Sequence, residues 1–513
     1  MAKDAFCTPA ARKWVLANSI LASGMVFIDG TVVNVALPAL QRAFDAGVAE
    51  AQWVVEAYAL LLTALLLLGG SLGDRYGRRR IFAAGVVLFG AASILCGLAQ
   101  SMSQLIAARA LQGLGGALLV PGSLALISAS FPEDIRGKAI GTWSGYSAIT
   151  AAVGPVLGGA LVEHLSWRYA FLLNIPFTFA VLFLSFRFVP ESRGAQDGDA
   201  ARPLDWAGAV LVSVALGCLV YGLIESSARG WTDPPVLAAL VLAPLALLAF
   251  VLVELRHPAP LLPLRLFRVR NFSGANLLTL MLYAALGALM FFLPLNLIQV
   301  QGYTATAAGA ALMPFILIMF ALSGWAGGLA DRYGARRPLV IGPAIAAAGF
   351  AWFALPGIVG SYWTSFFPAI VLLGFGMTVT VAPLTTTVMN ALDPVHAGLA
   401  SGINNAVSRA AGLLAIALLG IVMQRAFGHA LERQVRALQL PAAVTAQIDA
   451  QRQKLAAIAL PEAIPAPQRR LARQAVATSF VSGFRWVMAA SALLALCSAV
   501  CAWAMIRTPA RDK

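Results

Sequence analysis

Apolar runs of about 20 residues recur along the whole chain, separated by polar stretches that are mostly short. A helix of that length, rising ~1.5 Å per residue, crosses ~30 Å of hydrocarbon. The runs lack the two-residue alternation of barrel strands. Only helices and closed barrels satisfy the backbone in lipid. The pattern therefore predicts an all-α integral membrane protein with fourteen transmembrane helices. They fall at 14–38, 51–72, 80–98, 104–128, 137–161, 168–188, 205–224, 235–255, 271–297, 307–329, 338–356, 365–388, 398–423 and 482–506. The long connections are 189–204, 256–270 and 424–481.

Composition agrees: 60% of residues are hydrophobic and 11% charged, against ~25% charged in soluble domains. The first apolar run is too long for a signal-peptide core and no clear cleavage site follows, so it reads as a retained helix. The net charge of +14 would point to nucleic acid in a soluble protein, but its placement says otherwise. Alternate loops hold Arg75, Arg78, Arg79 and Arg80; Arg136 and Lys138; Arg187, Arg193 and Arg202; Arg256, Arg265, Arg268 and Arg270; and Arg332, Arg336 and Arg337. The opposite short loops hold little beyond Arg42 and Arg229. The positive-inside rule then puts both termini, 1–13 and 507–513, in the cytoplasm. The connection 424–481 breaks the pattern with Arg425, Arg433, Arg436, Arg452, Lys454, Arg469, Arg470 and Arg473. Long loops cross regardless of charge. Residues 426–457 look amphipathic, and either an outer-surface helix or a solvated hairpin fits. Cys7, Cys96, Cys218, Cys497 and Cys501 show no metal or disulfide spacing and read as small apolar fillers.

The chain repeats itself. Gly70-Ser-Leu72-Gly-Asp74-Arg75-Tyr-Gly77-Arg78-Arg79-Arg80 follows the second span, and Gly327-Gly-Leu329-Ala-Asp331-Arg332-Tyr-Gly334-Ala-Arg336-Arg337 follows the tenth. Matched motifs imply two homologous halves. Such a cluster can latch helix ends together; simple charge anchoring of the loop is the alternative.

These loops resemble the signature of the major facilitator superfamily. Leu105, Arg109, Gln112, Gly113, Gly115 and Gly116 are similar to its fourth-helix motif, and Gly145, Gly154, Pro155, Gly158 and Gly159 to the fifth-helix motif of antiporters. Asp29-Gly-Thr31-Val-Val-Asn34-Val-Ala-Leu37-Pro38 resembles the first-helix motif of the fourteen-span drug:proton antiporters of EmrB/QacA type. Trp167, Arg168, Phe171, Asn174 and Pro176, then Ser401, Gly402, Asn404, Asn405, Arg409 and Gly412, resemble that same group. The resemblance implies a six-helix bundle at 14–188, an inserted helix pair at 189–270 and a second bundle at 271–506 that includes the loop 424–481. It also implies proton-coupled export of lipophilic, cationic compounds from a bacterial inner membrane by alternating access. A dedicated exporter of one metabolite, antibiotic or lipid remains open, and so, more remotely, does a non-transporting sensor or scaffold.

Ionisable residues inside a membrane helix are costly and functional by default. Asp29, Glu56 and Arg109 are the clearest. Asp29 lies ~15 Å below the outer end of its span and the other two ~8 Å, close to one level. Desolvation and a neighbouring arginine would let a carboxylate exchange a proton for a cationic compound, unless Arg109 is only structural glue. Asn34, Gln112, Asn296, Gln299, Asn404, Asn405 and Arg409 are expected to line a cavity. The fifth-helix glycines allow a tight seam, and Pro155 a bend. No phosphate-cradling G-x-x-x-x-G-K-[ST] loop and no zinc or nucleophile motif is present, which disfavours a pump or an enzyme. No cofactor or metal is expected; the proton gradient is the driver. The expected partners are the bilayer, protons, small lipophilic substrates and a periplasmic adaptor, with no nucleic acid.

Overall fold

Long apolar runs that meet few breakers grow into long helices. The computed structural model describes residues 9–193, 203–358, 360–392, 397–438, 441–460 and 465–507. Cys7, Arg202, His396, Lys513 and the outermost parts of both predicted tails lie outside them. The chain begins with α1 (Pro9–Phe44), α2 (Val48–Tyr76), α3 (Arg78–Leu98), α4 (Met102–Ser130) and α5 (Glu133–His164). The short α6 (Tyr169–Leu172), α7 (Asn174–Phe188), α8 (Trp206–Arg229) and α9 (Pro234–Arg256) follow. Next come α10 (Arg270–Leu295), extended by a π turn at Asn296–Val300, then α11 (Ala305–Ala311), α12 (Met313–Gly327), α13 (Leu329–Tyr333) and α14 (Arg336–Phe353). The chain ends with α15 (Tyr362–Ser365), α16 (Phe367–Asn390), α17 (Ala397–Ala437), α18 (Ala442–Ala450) and α19 (Ala466–Met505).

Among the described residues, thirteen helices are long and apolar enough to cross a bilayer, from Ala11–Phe44 to Ala466–Met505. The predicted eleventh span, α14, is not one of them: it opens on Arg336-Arg337 and holds Pro338 and Pro343. The chain clusters into two units, Met1–Ala36 with Trp53–Leu219 and Ala238–Leu264, and Leu37–Gln52 with Val220–Leu237 and Arg265–Lys513.

The connection expected at 424–481 is largely helical. α17 runs on to Ala437 and α19 starts at Ala466. No proline interrupts either polar extension, so nothing stops the backbone ladder until Pro441 and Pro465 flank the remaining loop. That loop holds the short helix α18 and is tied down by side-chain contacts. Within the second unit its Lys454 Nζ meets Asp45 Oδ1 at 2.5 Å and its Gln453 Nε2 donates to the Ala228 carbonyl at 3.2 Å. Both contacts were invisible to a reading of polarity alone.

Candidate functional site

Close crossings come first, because they set the reach of every side chain in the first unit. A Cβ on Gly113 of α4 would run into the Tyr58 carbonyl of α2, and one on Gly115 would lie 2.6 Å from the Phe89 amide nitrogen of α3. The three helices therefore touch almost backbone to backbone. On α4, Arg109 and Gln112 share one face at i, i+3, and the crossing brings both against α1.

Asp29 is 0% exposed and Arg109 1%. Arg109 Nη1 donates to Asp29 Oδ2 at 2.5 Å and to Gln112 Oε1 at 2.6 Å, while its Nε donates to the Val54 carbonyl of α2 at 3.0 Å. The guanidinium centre stands 4.2 Å from the Tyr58 ring centroid. Asp29 Oδ1 accepts from Gln112 Nε2 at 2.7 Å and from Asn174 Nδ2 of α7 at 3.1 Å. Ser93 Oγ of α3 accepts from the same two amides, at 2.8 and 3.2 Å. A buried ion pair survives only when its remaining hydrogen-bonding capacity is met. Here groups on α2, α4 and α7 meet it, and Ser93 of α3 holds the two amides in turn.

Glu56 does not join them. It is 0% exposed, and neither carboxyl oxygen has a hydrogen-bond partner. The expected trio is thus one pair and one solitary acid, because Glu56 lies off the face of α2 whose Val54 carbonyl and Tyr58 ring meet Arg109. Ser93 and Asn174 were missed as site residues. Ser93 gives no sequence signal, whereas Asn174 stood in a quoted motif. Cys96, read as filler, also lies here: its thiol donates to Gln112 Oε1 at 3.7 Å.

The fifth-helix glycines press on α1 just past Asp29. A Cβ on Gly154 would overlap Thr31 Oγ1, and one on Gly158 would lie 3.0 Å from Val32 Cα. Pro155 sits between them without ending α5. Asn34 Nδ2 reaches back to the Gly30 carbonyl at 3.4 Å.

In the second unit, Asn404 Nδ2 donates to Asn276 Oδ1 at 3.1 Å and Thr279 Oγ1 at 2.7 Å. Asn405 Oδ1 accepts from Arg409 Nε at 3.2 Å. Asn404 and Asn405 line a cavity of about 180 Å³ with Tyr283, Thr385, Ser401 and Ser408. Asn296 and Gln299 lie elsewhere in the unit: Asn296 Oδ1 accepts from Gln301 Nε2 at 3.2 Å, and Gln299 Nε2 donates to Gln41 Oε1 at 2.9 Å.

The repeated loops match in geometry. Gly77 and Gly334 both take positive φ, 116° and 76°, where a side chain would be strained. Arg75 lies 5.6 Å over the Tyr76 ring and Arg332 5.9 Å over the Tyr333 ring. Near Gly70 at the end of α2, Asp74 pairs with Arg78 at 2.7 Å. Glu191, an acid the motif reading did not single out, accepts the Arg79 amide at 3.0 Å and faces the Arg80 guanidinium at 3.6 Å. A Cβ on Gly77 would sit 2.8 Å from Glu191 Oε1, so the glycine also makes room for that acid. In the second copy, Arg336 Nη2 donates to the Trp503 carbonyl at 2.7 Å. The side chain of Asp331 lies outside the described ones.

The family model described as Major Facilitator Superfamily matches residues 19–416. The chain is 33% identical over 482 residues to the tetracenomycin C resistance and export protein of Streptomyces glaucescens, covering 93% of this chain and 88% of that protein. It is 36% identical over 405 residues to the multidrug resistance protein Stp of Mycobacterium tuberculosis, covering 78% and 73%. A solved bacterial homolog of the human lysosomal transporter Spinster superposes with a TM-score of 0.66 at 17% identity, over 98% of this chain and 100% of that one. That last likeness concerns the fold alone.

Proposed function

Because the chain belongs to the Major Facilitator Superfamily, we propose that it is a secondary exporter that moves lipophilic, cationic drugs or toxic compounds out of the cell in exchange for protons. The observation that carries the coupling is the Asp29–Arg109 pair, fully desolvated and held by donors from several helices. A proton delivered to the Asp29 carboxylate cancels its charge. Arg109 then keeps Val54 and Gln112 but loses its counter-ion, and an unpaired buried cation is strongly unfavourable. The helices must repack, and loss of the proton on the other side restores the pair. That is the charge arithmetic of alternating access.

Both Asp29 oxygens already accept from protein donors, so it is a poor direct ligand for a cationic substrate. Glu56, with two unpartnered oxygens, is the acid at which a cation and a proton can compete. The names of the two relatives support export of a toxic compound, and the tetracenomycin relative also favours a second reading, a transporter dedicated to one antibiotic.

The arginine loops orient the chain with both termini in the cytoplasm of a bacterial inner membrane. α14 serves as the eleventh of fourteen spans, and in sequence two six-helix bundles flank the inserted α8–α9 pair. The paired arginine motifs act as latches on the cytoplasmic side. A periplasmic adaptor would extend export across an outer membrane.

The test is transport in proteoliposomes with an imposed pH gradient, using a panel of cationic and neutral dyes. Uptake should follow the gradient in wild type and vanish in Asp29→Asn at normal expression. Glu56→Gln should lose cationic dyes selectively. Equal uptake with and without the gradient would overturn antiport.

A further inference from the structure

The two copies of the repeated loop differ in how their arginines are answered. In the first unit, Glu191 stands just past the end of α7 and closes over the start of α3. Its Oε1 accepts the Arg79 amide at 3.0 Å, and its Oε2 faces the Arg80 guanidinium at 3.6 Å. Arg79 Nη1 donates to the Val189 carbonyl at 3.1 Å. That copy holds a carboxylate against a helix start and its arginines, a combination suited to an anion.

The second unit repeats the arrangement with a different residue in the acid's role. Arg336, the counterpart of Arg79 in the motif, reaches the Trp503 carbonyl near the end of α19 at 2.7 Å. The chain beyond α19 is clasped in place: Asn271 of α10 accepts the Arg507 amide at 2.9 Å and donates to the Arg507 carbonyl at 3.0 Å. Where the segment after α7 supplies Glu191, the described segment after α19 supplies Arg507. A cavity of about 780 Å³ opens there, lined by Arg332, Arg336, Arg337 and Arg507 together with Asn271 and Asn390. From Arg265 to Leu392 and from Ala466 to Arg507 the sequence holds a single acid, Asp331. Its side chain lies outside the described ones, and it offsets at most one of the four positive charges. Arg332 and Arg336 lie over the rings of Tyr333 and Trp503, 5.9 and 5.6 Å from their centroids, contacts that leave the charges uncompensated. Trp503 is 62% exposed, as suits an aromatic anchor at the bilayer surface. Basic pockets between spans at that level hold anionic headgroups.

We propose that this cavity is a binding site for a phosphate-bearing anion, which takes in the second unit the place that Glu191 takes in the first. Guanidinium forks match phosphate oxygens two at a time, and four like charges around one space repel until an anion enters. The bound group joins the start of α14 to the end of α19. Two sources carry this chemistry, the headgroup of an anionic phospholipid and free phosphate. The site does not rest on the transport reading.

The test follows thermal unfolding of the full chain in phosphatidylcholine vesicles, with phosphatidylglycerol mixed in or with inorganic phosphate added at constant ionic strength. Wild type should melt higher with one or both, and the additive that acts names the source. Arg337→Gln should raise the concentration needed by about tenfold or more. Asn390→Asp, which sets a carboxylate in the cavity with almost no change of shape, should abolish the effect. Arg80→Gln removes the same charge from the first loop, whose anion is built in, and should respond as wild type does. No rise in wild type with either additive, or a full response in both Arg337→Gln and Asn390→Asp, would overturn the site. Equal loss in Arg80→Gln would reduce the effect to general attraction between basic loops and anions, and so also sink the proposal. A response that appears only in Asp331→Asn or Asp512→Asn would assign the cavity to an acid of the chain itself instead. If one cavity variant does not fold, the other carries the comparison.

Discussion

Arg109 shows how much one side chain can hold. Its planar fork bonds Asp29 and Gln112 while its Nε bonds the Val54 carbonyl, and no ammonium can repeat that set. Arg109→Lys should keep the charge yet cut transport by about tenfold or more, whereas Arg109→Ala should also destabilise the fold by ~3–5 kcal/mol by stranding Asp29. Transport assays beside thermal melts of both variants check this; a fully active lysine variant would mean that charge alone suffices. Asp29 and Arg109 could be read from the sequence, because a charge inside an apolar run is conspicuous. Gln112 follows from Arg109 by helical spacing. Ser93 and Asn174 could not be placed so, since neutral polar residues are common in helices and their meeting depends on a three-dimensional crossing. Glu56 was legible as a buried acid but not as a solitary one, for its facing on α2 is set by that same crossing.

At the scale of the helix, the small residues decide which elements approach. The α5 seam at Gly154 and Gly158 meets α1 at Thr31 and Val32, one turn beyond Asp29. Gly158→Leu should wedge these helices apart and cost ~1–3 kcal/mol. It should reduce transport more than Gly141→Leu on the same helix, where a Cβ meets nothing within 4 Å. Parallel measurement of melting and dye efflux separates the two, and equal behaviour would remove the seam from the mechanism. The motif announced close packing, but not its partner. Helix lengths were legible only where apolar character marked them: α17 and α19 continue into polar sequence, where hydropathy is silent and only the absence of proline speaks.

Across the whole molecule, the repeat was the most legible feature, and its two copies match in the φ of Gly77 and Gly334 and in the Arg–Tyr stacking. The span count rests on α14, whose arginines and prolines lower its apolar character. Orientation can be settled directly. Ala446→Cys on exposed α18 should react with a membrane-impermeant maleimide added outside intact cells, above the background of the parent chain. Labelling only after permeabilisation would invert the topology.

The mutual cancellation of Asp29 and Arg109 has an electrical consequence. Since the pair carries no net charge, the voltage across the bilayer gains no purchase on the site until a proton arrives. If one proton enters for each molecule expelled, a monovalent cation leaves without net current. A neutral compound leaves with one charge moving inward, and a potential of ~100 mV then adds ~2.3 kcal/mol to its expulsion. The same site would thus be voltage-blind for one class of cargo and voltage-driven for the other.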